Sequence, residues 1–181
     1  MILAKLRQLR ADIRDQRATH QGAAESATRG QTKILLVCSA GGHLLELLAL
    51  QRAVWSKYDR AWVTLRQVDS ECLLKGEKVY YAFGPTNRNF LNLIKNFAYA
   101  FRVLMAERPT CVISSGAGIA IPFLYLGRIL RARTIYLESF ARFSGLSLTG
   151  RVVYPVTRDF LVQSPEAAAR FPKAIYRGAV F

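Results

Sequence analysis

From residue 33 onward, short apolar runs alternate with segments of helical periodicity, and this alternation constrains the fold more than any other feature of the sequence. Strands that are apolar throughout and separated by helices are typical of a parallel sheet that is covered on both faces. Right-handed crossovers then predict an α/β fold with a doubly wound, Rossmann-like parallel sheet. The predicted strands are Ile34–Cys38, Ala61–Leu65, Lys78–Phe83, Cys111–Ser114, Thr134–Glu138, Arg158–Gln163 and Ala174–Arg177.

Helical patterns fill most of the intervals between these strands. The predicted helices are His43–Tyr58, Asp69–Lys75, Phe90–Ala106, Ile119–Leu130 and Pro165–Arg170. The region before the first strand divides into a basic amphipathic helix over residues 1–17 and a linker over residues 18–32, and residues 33–181 form the Rossmann-like domain. The 1–17 segment places Leu3, Leu6 and Leu9 on one apolar stripe, although a frayed tail is the alternative interpretation.

The 181-residue chain carries 26 Lys and Arg against 12 Asp and Glu, a net charge of +14. Such a surplus predicts an anionic partner, which could be nucleic acid, an acidic membrane surface or a phosphorylated ligand. The three cysteines are far apart, which argues against disulfides and a zinc site. No secretory signal is visible, and the longest mostly apolar run, Gly116–Gly127, is shorter than the roughly 20 residues that span a bilayer.

Ligands bind such sheets beyond the carboxyl ends of the strands, and the first turn there reads CSAGGH. Gly41 and Gly42 would let the backbone come close to a ligand near Ser39, and the helix that follows favours anions. The turn matches neither the dinucleotide fingerprint nor the P-loop. A tight turn with only a structural role explains the glycines equally well.

His43 lies in the first turn of the predicted helix, and Glu46 follows three residues later on the same face. A histidine in this position can act as a general base whose tautomer is fixed by a carboxylate. The alternative is a histidine that only caps the helix.

Two further turns reach the same edge of the predicted sheet. SSGAG, after the strand Cys111–Ser114, contains Gly116 and Gly118 and gives another open turn. ESFAR, after the strand that begins at Thr134, brings the carboxylate of Glu138, together with Ser139 and Arg142, to the rim. Polar side chains in that place suit a ligand rich in hydroxyl groups.

The ordered series CSAGGHLLE, ISSGAGIAIPF, YLESFARFSGLSLTGRVVY, FLVQSPE and YRGAVF resembles one family from about Lys33 to the last residue. These motifs are similar to those of the acceptor-binding, membrane-associated subunits of two-component glycosyltransferases. Such subunits act in the second sugar step of eukaryotic N-glycan lipid precursors and, as the PssD type, in bacterial exopolysaccharide assembly. More distantly, the turns resemble the N-terminal domain of the peptidoglycan glycosyltransferase that makes lipid II.

This resemblance implies the N-terminal half of a split GT-B enzyme, with the nucleotide-sugar site on a separate donor-binding subunit. It implies inverting transfer to a polyprenyl-diphosphate-linked saccharide, with no metal or other cofactor. By position, His43 matches the suspected base, and Glu138 matches the carboxylate loop that faces the acceptor. Gly41, Gly42, Gly116 and Gly118 match the glycine turns. The length of the chain agrees, because a complete GT-B enzyme needs two such domains.

The prediction of membrane attachment depends on the predicted helix Phe90–Ala106. Phe90, Leu93, Ile94, Phe97, Phe101 and Leu104 form one apolar stripe, and Lys95 and Arg102 are among the cations that flank it. Core packing alone would explain the stripe but not the cations, which anionic lipid attracts. The sequence therefore predicts peripheral attachment to the cytoplasmic face of a membrane.

Two other functions remain open from the residues alone. A basic nucleic-acid-binding module without enzymatic activity would use the net charge, but neither a recognition helix nor aromatic and basic residues interleaved on an exposed sheet face is evident, so we expect no nucleic-acid partner. An oxidoreductase that binds a dinucleotide is disfavoured because the fingerprint is absent.

Overall fold

A computed structural model describes residues 32–86, 89–143 and 145–180, without the side chains of residues 52 and 53. The predicted helix 1–17, nearly all of the predicted linker, and Leu3, Leu6 and Leu9 therefore lie outside the described residues. Within those residues, no helix is both long enough and apolar enough to cross a membrane.

The described chain forms one seven-stranded sheet in which every neighbouring pair of strands is parallel. The strand order is β3-β2-β1-β4-β5-β6-β7, so the order reverses between β1 and β4. The strands are β1 (Lys33–Val37), β2 (Asp59–Leu65), β3 (Val79–Ala82), β4 (Cys111–Ser114), β5 (Arg133–Leu137), β6 (Asp159–Val162) and β7 (Ala174–Tyr176). This topology confirms the predicted doubly wound, Rossmann-like sheet.

Helices cover both faces of the sheet. In chain order they are α1 (Gly42–Ala49), α2 (Gln51–Val54), α3 (Val68–Leu73), α4 (Phe90–Glu107), α5 (Ala120–Ile129), α6 (Leu148–Val153) and α7 (Pro165–Arg170). One core cluster joins alternate strand residues to α4, α5, α6 and α7, and a second cluster joins the other residues to α1 and α2. The central strands are buried on both sides, which is why they read as continuous apolar runs.

Most predicted bounds agree with the observed ones to within two residues, and two differences are larger. The predicted helix His43–Tyr58 is two helices, because the hydrogen-bond pattern breaks at Leu50 between α1 and α2. Helix α6 was not predicted, because its sequence LTGRVV contains a glycine and two β-branched valines. Ser147 begins α6 by accepting a hydrogen bond from the Gly150 N–H, and this cap compensates for the weak helix propensity.

The long helix α4 divides the predicted apolar stripe between the core and the surface. Leu104 is buried against the sheet, and Phe97 is half-buried. Phe90 and Phe101 are 72 % and 51 % exposed on the outer side. The stripe therefore runs along the border between the buried and the exposed sides of α4, and contact of Phe90, Phe97 and Phe101 with a membrane stays a prediction.

Candidate functional site

The candidate site lies at the carboxyl ends of β1 and β4, the point where the strand order reverses. Open α/β sheets bind ligands at this point because the helices that follow the two strands lie on opposite faces and leave a crevice between them. The turn after β1 leads into α1 and His43, and the turn after β4 contains Gly116 and Gly118.

His43 packs its ring directly against the turn after β4. The backbone of Gly116 has φ +129°, and a Cβ atom there would lie 2.8 Å from Cε1 of His43. On the other side, the Ser115 hydroxyl donates to the main-chain oxygen of His43 at 2.7 Å. The two turns are therefore joined through His43, whose side chain remains 30 % exposed.

Glu46 is buried one helical turn below His43, with only 1 % of its surface exposed. Its Oε2 lies 3.5 Å from His43 Nδ1. Neither atom has a hydrogen-bond partner among the described residues, so the two face each other without a formed hydrogen bond. Because Nδ1 is buried against this carboxylate, Nε2 is the ring nitrogen that can accept a proton from a ligand.

Glu138, directly after β5, is also buried. Its Oε2 accepts hydrogen bonds from the N–H and hydroxyl of Ser147, and its Oε1 accepts one from the Ser139 N–H. Burial raises the pKa of the Glu138 carboxyl, and these hydrogen bonds oppose that effect. Glu138 thus binds both the beginning of the connection from β5 to α6, at Ser139, and its end, at Ser147.

A cavity of about 770 Å³ opens beside His43. Its polar lining residues include His43, Glu138, Ser139, Arg142 and Thr86. Its apolar lining residues come mainly from α4, α5 and α6 and include Phe90, Leu93, Ile121, Leu148 and Val152. This mixed lining suits a ligand that has both polar and apolar parts.

The predicted site residues divide into three groups. Those that line the cavity are His43, Gly118, Glu138, Ser139 and Arg142. Glu46 and Gly116 do not line the cavity, but Glu46 faces His43 Nδ1 and Gly116 packs against the His43 ring. Ser39, Gly41 and Gly42 are not part of the cavity wall.

The turn that contains Gly41 and Gly42 has its own internal partner. The Gly41 N–H donates to Asp69 Oδ2 at 2.6 Å, so a carboxylate of the chain accepts from the first amide of the turn. A Cβ at Gly41 or Gly42 would meet no atom within 4 Å, which leaves open space beside the turn. Asp69 could not be predicted as a partner of this turn, because the contact joins residues that are 28 positions apart.

Several lining residues were missed in the sequence. Thr86 and Asn89 reach the cavity from the segment between β3 and α4. Asn89 carries the usual signal of a helix N-cap, and its side chain accepts from the Asn92 N–H. Thr86 packs so close to Gly118 that a Cβ there would lie 2.8 Å from the Thr86 carbonyl oxygen. No local pattern predicts that approach.

The outer side of α4 is apolar and exposed. Ile94 and Met105 are 54 % and 45 % exposed, and they share this side with Phe90 and Phe101. At 3.6 residues per turn, these four positions fall within about 60° of one another. Lys95 and Arg102 are exposed beside them. We call this surface, defined by Phe90, Ile94, Phe101 and Met105, the α4 face.

The family model described as "Oligosaccharide biosynthesis protein Alg14 like" matches residues 84–180, more than half of the 181-residue chain. The chain belongs to this family. The matched residues include Glu138 and the three helices α4, α5 and α6, which contribute apolar residues to the cavity lining. It confirms the resemblance on which the prediction of a glycosyltransferase subunit rests.

Relatives in the Alg14 family carry the name "UDP-N-acetylglucosamine transferase subunit ALG14". The protein from Eremothecium gossypii is 33% identical over 127 residues, 64% of this chain and 55% of that protein. The Debaryomyces hansenii protein is 26% identical, over 84% of this chain and 78% of the relative. The human protein is 24% identical, over 84% of each chain. The chain thus spans little more than half the length of the Eremothecium relative.

Solved structures share the fold at low sequence identity. Acinetobacter baumannii MurG has a TM-score of 0.65 at 17% identity, covering 82% of this chain and 45% of that chain. The UDP-N-acetylglucosamine 2-epimerase from Rickettsia bellii also has a TM-score of 0.65, at 10% identity, covering 83% of this chain and 46% of that chain. These matches confirm a Rossmann-like domain of the kind found in GT-B enzymes.

Proposed function

We propose that this chain is the acceptor-holding subunit of a two-component, inverting glycosyltransferase. The observation that carries the proposal is the His43–Glu46 pair, whose histidine lines a cavity with both polar and apolar lining residues. Membership of the Alg14 family supports it, because the relatives are named as subunits of a transferase. The nucleotide-sugar site would lie on a separate donor-binding subunit.

In the proposed reaction, an acceptor hydroxyl in the cavity attacks the anomeric carbon of the donor sugar. The bond between that carbon and the nucleoside diphosphate breaks, and the nucleoside diphosphate leaves with the bonding electrons. Nε2 of His43 takes the hydroxyl proton, and the carboxylate of Glu46 stabilises the imidazolium that results. Attack on the face opposite the leaving group inverts the anomeric centre.

The proposed acceptor is a polyprenyl-diphosphate-linked saccharide of exopolysaccharide or oligosaccharide biosynthesis. Its sugar would lie against His43, Ser139 and Glu138, whose polar groups line the cavity. Arg142, which lines the same cavity, would supply a positive charge for the diphosphate. The polyprenyl chain would leave past the apolar lining residues, of which Phe90 and Leu148 are 72 % and 73 % exposed.

We further propose that the α4 face rests on the cytoplasmic surface of a membrane. Phe90 belongs both to this face and to the cavity wall, so an acceptor held in the bilayer would need only a short path to the cavity. Lys95 and Arg102 beside the face would contact anionic headgroups.

Reconstitution with a donor-binding subunit tests the function. The purified chain, the partner and the mixture are each given labelled UDP-N-acetylglucosamine, the donor suggested by the names of the relatives, and a polyprenyl-diphosphate-linked acceptor. We expect transfer only in the mixture. Robust transfer by this chain alone, or none in a mixture whose two chains form a complex, would contradict the proposal.

A further inference from the structure

Gln163, the residue directly after β6, is 8% exposed and uses both ends of its amide. Its Nε2 donates to the main-chain oxygen of Glu138 at 3.0 Å and to Glu46 Oε1 at 3.3 Å. Its Oε1 accepts from the Val180 N–H at 2.8 Å. A primary amide has two N–H donors and one acceptor oxygen, so these three partners fit Gln163 in a single orientation.

The contacts of Gln163 determine how the Glu46 carboxylate is turned. Oε1 of Glu46 receives two donors, the Gln163 amide and the Phe140 N–H at 3.0 Å. Oε2 receives neither, and it faces His43 Nδ1 at 3.5 Å. A carboxylate rotates easily about its last bond, and two donors on one oxygen oppose that rotation. The other oxygen is therefore left directed at the imidazole.

We propose that Gln163 is a positioning residue that acts through Glu46 on His43. By holding Glu46, it keeps the neutral imidazole in the tautomer with the proton on Nδ1, so that Nε2 is unprotonated toward the cavity. Gln163 itself does not line the cavity. The consequence for sugar transfer rests on the proposed function, whereas the effect on the His43 tautomer does not.

Nitrogen NMR of the chain alone tests the positioning. The chain has two histidines, and His20, assigned by its loss in His20→Asn, provides an internal reference. With both imidazoles neutral, the ¹⁵N shifts of each ring report the ratio of the Nδ1–H to the Nε2–H tautomer. We expect Nδ1–H to dominate at His43, and we expect Gln163→Leu to lower the ratio about tenfold, the loss that one charge-assisted hydrogen bond represents.

The matched control is Thr134→Val, which also removes a buried polar group. Thr134 lies near the amino end of β5, away from the site, where its hydroxyl accepts from the Arg158 N–H at 3.0 Å. This variant should leave the His43 tautomer ratio unchanged. An equal change in Thr134→Val would mean that any loosening of the core alters His43, and it would overturn the proposal.

A double-mutant cycle tests the route through Glu46. Glu46→Gln should change the tautomer ratio by itself, and Gln163→Leu added to it should change the ratio no further. Additive effects would overturn the proposal. If Gln163→Leu does not fold, Gln163→Met replaces it, because the unbranched thioether side chain has about the same length and cannot donate to Glu46. An unchanged ratio in a folded Gln163 variant also overturns the proposal.

Transfer with the donor subunit separates the two proposals. With positioning and function both correct, Gln163→Leu lowers kcat about 10- to 100-fold, with little change in the KM for the acceptor. A changed tautomer ratio with unchanged kcat would support the positioning and contradict the role of His43 as the base.

Discussion

Small residues allow the loops around His43 to converge. Gly116 leaves room for the imidazole, and Gly118 leaves room for the Thr86 carbonyl oxygen. A side chain at Gly150 would collide with the Glu138 carboxylate. Each of these glycines lies where two segments distant in sequence meet, so the space that it leaves is part of the geometry of the site.

Gly116→Ala should destabilise the fold and displace His43. The backbone has φ +129°, which L side chains rarely adopt, and the new Cβ would lie 2.8 Å from the imidazole. Backbone strain of this kind costs about 1–3 kcal/mol. Urea unfolding should show a loss of that size. The matched control is Gly145→Ala, where a Cβ would meet no atom within 4 Å. Equal stability of the two variants would contradict the packing described for His43.

His43→Ala should lower turnover by roughly 10²- to 10⁴-fold, the range for loss of a general base, without unfolding the domain. The rate of sugar transfer in the complex with the donor subunit measures the effect. His20→Ala is the control, because it removes the other histidine of the chain. A His43→Ala complex that retains the wild-type rate would contradict the role of His43 as the base.

Helix α4 joins the core, the cavity and the surface. Asn96, Ala100, Val103, Leu104 and Glu107 are buried along one side. Near its first turn, Phe90 and Leu93 form part of the cavity wall. Its outer side is the α4 face. A single helix therefore connects the proposed acceptor site to the proposed membrane surface.

Elements were predictable from the sequence where a pattern is local. The strand Cys111–Ser114 and the helix Pro165–Arg170 were predicted with the bounds observed, because a continuous apolar run and a Ser-Pro start mark them. The pairing of His43 with Glu46 was predictable from helical spacing. Gln163 was not, because its partner Glu46 lies 117 residues away and no local signal joins them. Which residues of α4 are buried and which are exposed could not be predicted, because that depends on where the sheet lies relative to the helix.

The end of α4 is fixed by ion pairs to the sheet, and these should stabilise the fold. Glu107 lies 2.6 Å from Lys33 Nζ and 2.7 Å from Lys78 Nζ, and it accepts a hydrogen bond from the Tyr80 hydroxyl. Burial alone would raise the pKa of Glu107, but hydrogen bonds from Lys33, Lys78 and Tyr80 outweigh it and lower the pKa to about 2. The ionised form is thus favoured in the folded state.

Glu107→Gln should lower the free energy of unfolding by about 2 kcal/mol at neutral pH. Because the pKa falls from 4.5 to about 2 on folding, the carboxylate contributes fully above pH 4.5, and its contribution is lost as the pH falls toward 2. The difference between variant and wild type in urea unfolding should shrink over that interval. Glu71→Gln is the control, since Glu71 is 49% exposed and 3.8 Å from Arg66. A difference independent of pH would contradict the ion-pair account.

On the scale of the whole molecule, the net charge and the apolar α4 face would together determine how the chain attaches to an anionic membrane. The net charge of +14 attracts the chain to any anionic surface, and the α4 face limits which side of the molecule can be buried there. Orientation matters because the cavity opens beside Phe90 at one end of that face. Attachment through α4 would hold the cavity close to acceptors in the bilayer, whereas attachment by charge alone would leave the orientation free.

The chain should therefore bind anionic vesicles peripherally and neutral vesicles negligibly. Partial burial of a few side chains at about 25 cal/mol per Å² gives only a few kcal/mol, so attachment also needs the cations. Co-sedimentation should fall with salt, because exposed charges are screened over about 10 Å at 0.1 M.

Deleting residues 1–17 should weaken binding, as should Phe101→Ser, which removes one apolar side chain from the α4 face. Val68→Ser is the matched control, because Val68 is 79% exposed on α3. Equal binding to neutral and anionic vesicles, or equal losses from Phe101→Ser and Val68→Ser, would mean that the α4 face does not contact the membrane.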